Sequence, residues 1–223
     1  DKPSEWTSFD VVNKIRFPLR RWSGKKKFKV GHAGTLDPFA TGLLLICIGK
    51  MTKQISAYMG LSKSYAGIFR LGETTPSYDT ETEINEVRDI SHLDVNEVKV
   101  AASAFVGDIK QKPPMFSAVK KDGQRLYELA RKGEEVEVEA RNIHISEFSL
   151  TKFNLPEVHF HLSCSKGTYV RSLARDLGEN LEVGAHLSSL RRESIGEFKL
   201  SEAWELDKLV EFLNSQAEHA HLQ

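Results

Sequence analysis

The chain has 223 residues, 40% of them apolar, and its 31 basic and 31 acidic side chains cancel to a formal charge of zero. Such a chain can bury a full core, which excludes disordered and low-complexity classes. No apolar run is long enough to span a membrane and no basic-then-apolar leader opens the chain, so a cytoplasmic protein without membrane contact is expected.

In chain order, Thr7 or Ser8 caps a predicted helix that runs to about Arg16 and is ended by Pro18. Residues 28–31 and 43–49 read as strands, 52–59 as a helix and 64–71 as a strand. Residues 94–106 show helical periodicity, with Val98, Val100, Ala101, Ala104 and Phe105 apolar. A short basic helix spans 124–132 and stops at Gly133. Long alternating strands follow at 136–153 and 158–165, then a helix at 168–180 and a strand pair at 187–192 and 198–200. The pattern predicts an α+β fold: a mixed, mostly antiparallel sheet flanked by helices, without the regular alternation of a parallel sheet. Cys47 and Cys164 each stand in an apolar, strand-like stretch, which predicts buried reduced thiols rather than a disulfide or zinc site.

The zero net charge argues against a nucleic-acid partner, but its distribution argues for one. Between Val11 and Leu36 lie Lys14, Arg16, Arg20, Arg21, Lys25, Lys26, Lys27 and Lys29, with no acid among them. This patch can neutralise several phosphates, or it can be a solvated basic loop. Directly after it comes Gly31-His32-Ala33-Gly34-Thr35-Leu36-Asp37-Pro38-Phe39-Ala40-Thr41-Gly42. Its glycines permit sharp turns and close approach, Pro38 keeps the preceding residue extended, and Asp37 is left with an outward carboxylate. As residue types alone, this is either a catalytic loop or an Asx turn at a strand entrance.

The run resembles the motif of the bacterial tRNA pseudouridine synthases of the TruB type, and the resemblance extends from Asp1-Lys2-Pro3 to about Phe198. It implies an isomerase of the pseudouridine synthase fold that converts a uridine of the tRNA T loop, position 55, to its C-glycoside isomer without cofactor or metal. Asp37 would be the nucleophile. His32 matches the wedge that fills the space left by the flipped base, and Tyr65, in Lys63-Ser64-Tyr65, matches the ring that stacks on the uracil. In Cys164-Ser165-Lys166-Gly167-Thr168-Tyr169-Val170-Arg171, the resemblance places Tyr169 beside the nucleophile and Arg171 paired with it, although Thr168 read alone is merely a helix cap. Leu190 matches a pocket-lining residue, and Lys53 is a candidate phosphate contact.

The stretch Gln111-Lys112-Pro113-Pro114-Met115-Phe116-Ser117-Ala118-Val119-Lys120, with Arg125 beyond it, resembles a thumb-like insertion at about 108–140 that contacts the T arm. Lys25, Lys26, Lys27, Lys120 and Arg125 are the expected RNA contacts. Where the family reads T-D-T-x-D-x-x-G, this chain has Thr75-Pro76-Ser77-Tyr78-Asp79, so that loop carries no assigned role. Residues 1–200 are expected to form the catalytic domain. Residues 201–223 are expected to form a short helical tail, with no room for a further C-terminal RNA-binding domain. The chain opens inside the family's first motif, and a monomer is expected. The alternatives are a synthase with another RNA target and a non-catalytic RNA-binding or tRNA-folding protein.

Overall fold

The computed structural model describes residues 1–117, 119–121, 123–134 and 136–220; Ala118, Asp122, Glu135 and residues 221–223, which fall in the expected thumb and tail, lie outside the described residues. In chain order the elements are α1 (Ser8–Ser23), β1 (Val30–His32), β2 (Thr41–Gly42), β3 (Ile46–Ile48), a 3₁₀ turn (Gly49–Gln54), α2 (Ile55–Met59), β4 (Lys63–Leu71), β5 (Glu73–Thr74), β6 (Glu86–Val87) and α3 (Val95–Ser103). Then follow β7 (Gly107–Gln111), β8 (Lys120–Lys121), β9 (Gln124–Arg125), α4 (Leu126–Ala130), β10 (Arg141–Asn154), β11 (Glu157–Cys164), α5 (Val170–Asn180), β12 (Ala185–Ile195), β13 (Phe198–Lys199), a 3₁₀ turn (Leu200–Glu202) and α6 (Leu206–Ala220). One sheet has the order β13-β12-β4-β11-β10-β7, and β2 pairs with β12 in parallel. The α+β expectation holds.

The differences from the sequence reading have local causes. Helix α1 does not stop at Pro18 but continues to Ser23, because its apolar face continues: Val11, Val12, Ile15, Pro18 and Leu19 are all buried. A proline inside a helix costs roughly 3 kcal/mol, and burying Leu19 alone returns about 1.5–3 kcal/mol. The real stop is Gly24, left-handed at φ 63°, just after Arg20 and Arg21, whose charges suit the negative end of the helix dipole. Residues 43–45 are irregular rather than strand, and Leu43 and Leu44 are both buried, which strict alternation forbids. β10 begins at Arg141 rather than at 136, because its partner β7 ends at Gln111, the residue facing Arg141. α5 is capped by Tyr169 rather than Thr168, whose hydroxyl donates instead to the Ser165 carbonyl at 3.0 Å.

The chain forms two compact units, Asp1–Tyr65 with Arg191–Gln223, and Ala66–Leu190; β4 and β12 run through both boundaries. In the first unit, Val11, Val12, Ile15 and Leu19 of α1 pack with Val30, Leu44 and with Leu206 and Leu213 of α6. Antiparallel β1 and β3 pair Gly31 with Cys47. In the second unit the core is aromatic: Phe69 stacks on Phe160 at 4.2 Å, and Phe148 meets both rings edge-on. Cys47 and Cys164 are buried reduced thiols, as expected.

Candidate active site

Asp37 lies on the loop between β1 and β2, and three side chains of the first unit hold that loop by its backbone. Ser8, at the start of α1, accepts from the Leu36 amide at 2.8 Å and donates to the Leu36 carbonyl at 3.1 Å. Lys2, 1% exposed, donates to the carbonyls of Pro3 (2.8 Å), Trp6 (2.6 Å) and Pro38 (3.0 Å). Arg192, also 1% exposed, donates to the carbonyls of Leu43 (2.8 Å), Gly34 (3.1 Å) and Thr35 (3.4 Å). A loop anchored from both flanks presents its carboxylate in one place, which is what a positioned nucleophile requires.

The charges reinforce this frame. Burial pushes the Lys2 ammonium down to about 8, against the pull of the nearby Asp37 carboxylate, which favours the charged form. The loop leaves at Gly42, whose φ is 101° and where an added Cβ would stand 2.4 Å from the Arg192 carbonyl oxygen. Lys2 and Gly42 also exchange backbone hydrogen bonds at 2.8 and 3.1 Å, and the Leu43 amide donates to the Arg192 carbonyl at 2.8 Å.

His32, at the end of β1, is half-buried and its Nδ1 has no hydrogen-bond partner among the described residues. Burial, and then the charge of Arg192, push its imidazole below the usual range; the Gly34 backbone offsets this slightly without reaching hydrogen-bond geometry. The ring is therefore neutral at pH 7 and suited to packing rather than to charge. Tyr65 is buried in β4, 8% exposed, while Lys53 in the 3₁₀ turn and Lys25, Lys26 and Lys27 beyond α1 are exposed.

The second unit assembles a second cluster. Arg171, in the first turn of α5, donates to the carbonyls of Phe116 (2.9 Å) and Ser77 (3.3 Å), and its Nε lies 3.4 Å from Asp79 Oδ2. Asp79, in the loop that the sequence left without a role, is fully buried. Gln111, the last residue of β7, clamps the backbone of Tyr169: its Oε1 accepts from the Tyr169 amide at 2.8 Å and its Nε2 donates to the Tyr169 carbonyl at 3.0 Å. Ser172 donates to the Lys112 carbonyl at 2.8 Å. The root of the expected thumb is thus stitched to the start of α5. Leu190, near the middle of β12, is buried at 7% exposure.

Lys120 and Arg125 face each other across the β8–β9 hairpin, both exposed. Tyr127 beside them has the guanidinium groups of Arg125 and Arg131 over its ring, at 5.8 and 5.7 Å. Sequence reasoning missed Lys2, Ser8, Asp79, Gln111 and Arg192. The quoted run Asp1-Lys2-Pro3 contained the first of them, but nothing in a sequence marks a cation as buried.

The chain is similar to known proteins over most of its length. The model of the TruB family pseudouridylate synthase N-terminal domain matches residues 20–170, and that of the tRNA pseudouridylate synthase B C-terminal domain matches residues 171–223. The chain is 51% identical over 214 residues to tRNA pseudouridine synthase B of Flavobacterium johnsoniae, covering 96% of this chain and 93% of that one. It is 50% identical over 218 residues to tRNA pseudouridine synthase B of Chlorobaculum tepidum, covering 97% of this chain and 90% of that one. Among solved structures it resembles a chain of a Cbf5–Nop10–Gar1 complex, with a TM-score of 0.70 and 26% identity over 97% of this chain; it spans only 57% of that longer chain. With most of its length matched by the family's own model, the chain belongs to the TruB family of pseudouridylate synthases.

Proposed function

We propose that this protein is a tRNA pseudouridine synthase that isomerises uridine 55 of the T loop, acting as a cytoplasmic monomer on the T arm. The observation that carries this reading is Asp37 on a loop locked by Ser8, Lys2 and Arg192, within a chain about half identical to proteins named tRNA pseudouridine synthase B.

The reaction breaks the bond between C1′ and N1 of the uridine, turns the freed uracil and forms a bond from C1′ to C5. N1 gains a proton and C5 loses one, so atoms and electrons balance without an external reagent. Asp37 supplies the covalent nucleophile that carries the intermediate. The target must leave its stack, which costs a few kcal/mol and less in a loop than in a duplex. His32, neutral and half-buried, takes the space vacated by the base. Tyr65 stacks on the flipped uracil and Leu190 lines its pocket. Tyr169 borders the nucleophile, and Arg171 orients it through a planar fork that lysine cannot reproduce.

Residues 1–200 act as the catalytic domain, with the 108–140 stretch as the element that grips the T arm. Lys120 and Arg125 meet RNA there, as do Lys25, Lys26, Lys27 and Lys53 on the first unit. The deciding experiment incubates the protein with unmodified tRNA and maps pseudouridine nucleotide by nucleotide. Pseudouridine at position 55 is expected. Modification elsewhere would reassign the target, and tight tRNA binding without any pseudouridine would make the protein a binding or folding factor.

A further inference from the structure

The outer face of α1 carries residues that the core does not use. Phe9 is 57% exposed and Phe17 65% exposed, although each could have been polar at no cost to packing. They stand eight positions apart, with Asn13, Arg16 and Arg20 interleaved on the same face at helical spacing. The Arg16 guanidinium already lies over the Phe9 ring at 5.7 Å. Arg21 and then Lys25, Lys26, Lys27 and Lys29 continue the positive charge past Gly24. None of the basic residues from Lys14 to Lys29 has a carboxylate at ion-pairing distance among the described residues. The acid nearest in sequence, Asp10, sits at the N-terminal end of α1, where it is engaged by the Thr7 cap.

The helix is also tied to the catalytic loop. Ser8, the residue before Phe9, makes the two hydrogen bonds to Leu36, next to Asp37. From that point α1 runs about 24 Å outward, with Phe9 and Phe17 about 12 Å apart along it.

We propose that this face is a track for single-stranded RNA, on which Phe9 and Phe17 stack unpaired bases while Arg16, Arg20 and Arg21 hold the phosphates. Exposed aromatic rings alternating with unpaired cations are the chemistry that holds single strands without reading their sequence. A second copy of the chain fits the face poorly, because it would set these cations against their equals. The inference rests on the reading of an RNA substrate and adds to it a contact region on α1, beginning at the loop that carries Asp37.

The test measures binding of a labelled 12-nucleotide single strand, of the same sequence as a duplex, and of full-length tRNA, across salt concentrations. In F9S/F17S, single-strand affinity should fall roughly ten- to a hundredfold, duplex affinity should hold, and the salt slope should not change. In R20Q/R21Q, the slope should flatten by roughly two units for both forms. Both rings lie outside the core, so an unchanged urea midpoint should show that F9S/F17S is folded. Unchanged single-strand affinity in F9S/F17S would overturn the track. So would a wild-type dimer that this substitution dissolves, or binding to anionic phospholipid vesicles that it abolishes. Pseudouridine formation is assayed in parallel: an active wild type with unaltered F9S/F17S binding defeats the track alone, whereas an inactive wild type defeats the synthase reading.

Discussion

Arg171 and Asp79 meet in the interior of the second unit, with Nε 3.4 Å from Oδ2 and side chains 5% and 0% exposed. Removing the carboxylate weakens what offsets the desolvation of the buried guanidinium. Asp79→Asn should therefore destabilise the protein by roughly 3 kcal/mol, read as a lower urea midpoint. If Arg171 also orients the nucleophile, single-turnover pseudouridine formation by Asp79→Asn should slow even at temperatures where the variant is fully folded. A variant as stable and as fast as the parent would show the pair to be dispensable.

Asp37→Asn should lose turnover almost completely while tRNA affinity stays within about tenfold, because amide and carboxylate share a shape and binding is spread over phosphate contacts. Arg171→Lys should lose much of the rate, and the double variant should be little worse than Asp37→Asn alone. Single-turnover rates and filter binding on the three proteins check this.

Lys2 gives a prediction in pH. Its folded value is pushed down to about 8 from 10.5. Between these values the unfolded chain keeps a proton that the folded chain has released, so the Lys2 contribution to stability rises with pH across this window and is flat below it. Urea unfolding of wild type and Lys2→Met from pH 7 to 10.5 isolates the effect as a difference. That difference should grow in favour of the wild type above about pH 8. A constant difference would show that Lys2 titrates normally.

Gly42→Ala places a Cβ against the Arg192 backbone at a left-handed φ of 101°, whereas at Gly24, φ 63°, nothing lies within 4 Å. Gly24→Ala should cost about 1 kcal/mol, from backbone strain alone. Gly42→Ala should cost more than about 3 kcal/mol and abolish activity, because β2 cannot stay on β12. Thermal unfolding of both variants decides it.

Gln111→Ala removes both bonds to the Tyr169 backbone and leaves a part-buried amide and carbonyl to find new partners. A loss of about 1–3 kcal/mol is expected. Gln111→Glu keeps the acceptor for the amide and loses the donor to the carbonyl, so it should recover part of the rate. If kcat falls while KM holds in both variants, Gln111 positions Tyr169 for the reaction and does not merely support the fold.

The sequence displayed the parts that local chemistry dictates. The Thr7 cap of α1, the helical period of α3, the two buried thiols and the glycine-rich run around Asp37 were all legible, because capping, alternation and glycine spacing act over a few residues. What stayed hidden depends on distant parts of the chain. Pro18 looked like a stop because the packing of α1 on α6, almost 200 positions away, cannot be read from a window around it. Asp79 seemed idle because its motif had drifted, while its value lies in a partner 92 positions later in the chain, Arg171. Arg192 and Lys2 had no role assigned from the sequence, and only the fold places them where carbonyls converge.

Arg192 bonds only main-chain oxygens in and just after the loop that carries Asp37, those of Gly34, Thr35 and Leu43. Carbonyl oxygens are the same in every residue, so this anchor is blind to mutation at the positions it grips, provided the backbone path survives. This anchor therefore does not depend on the side chain at Thr35, whose carbonyl alone it holds. The constraint falls instead on one arginine more than 150 positions downstream.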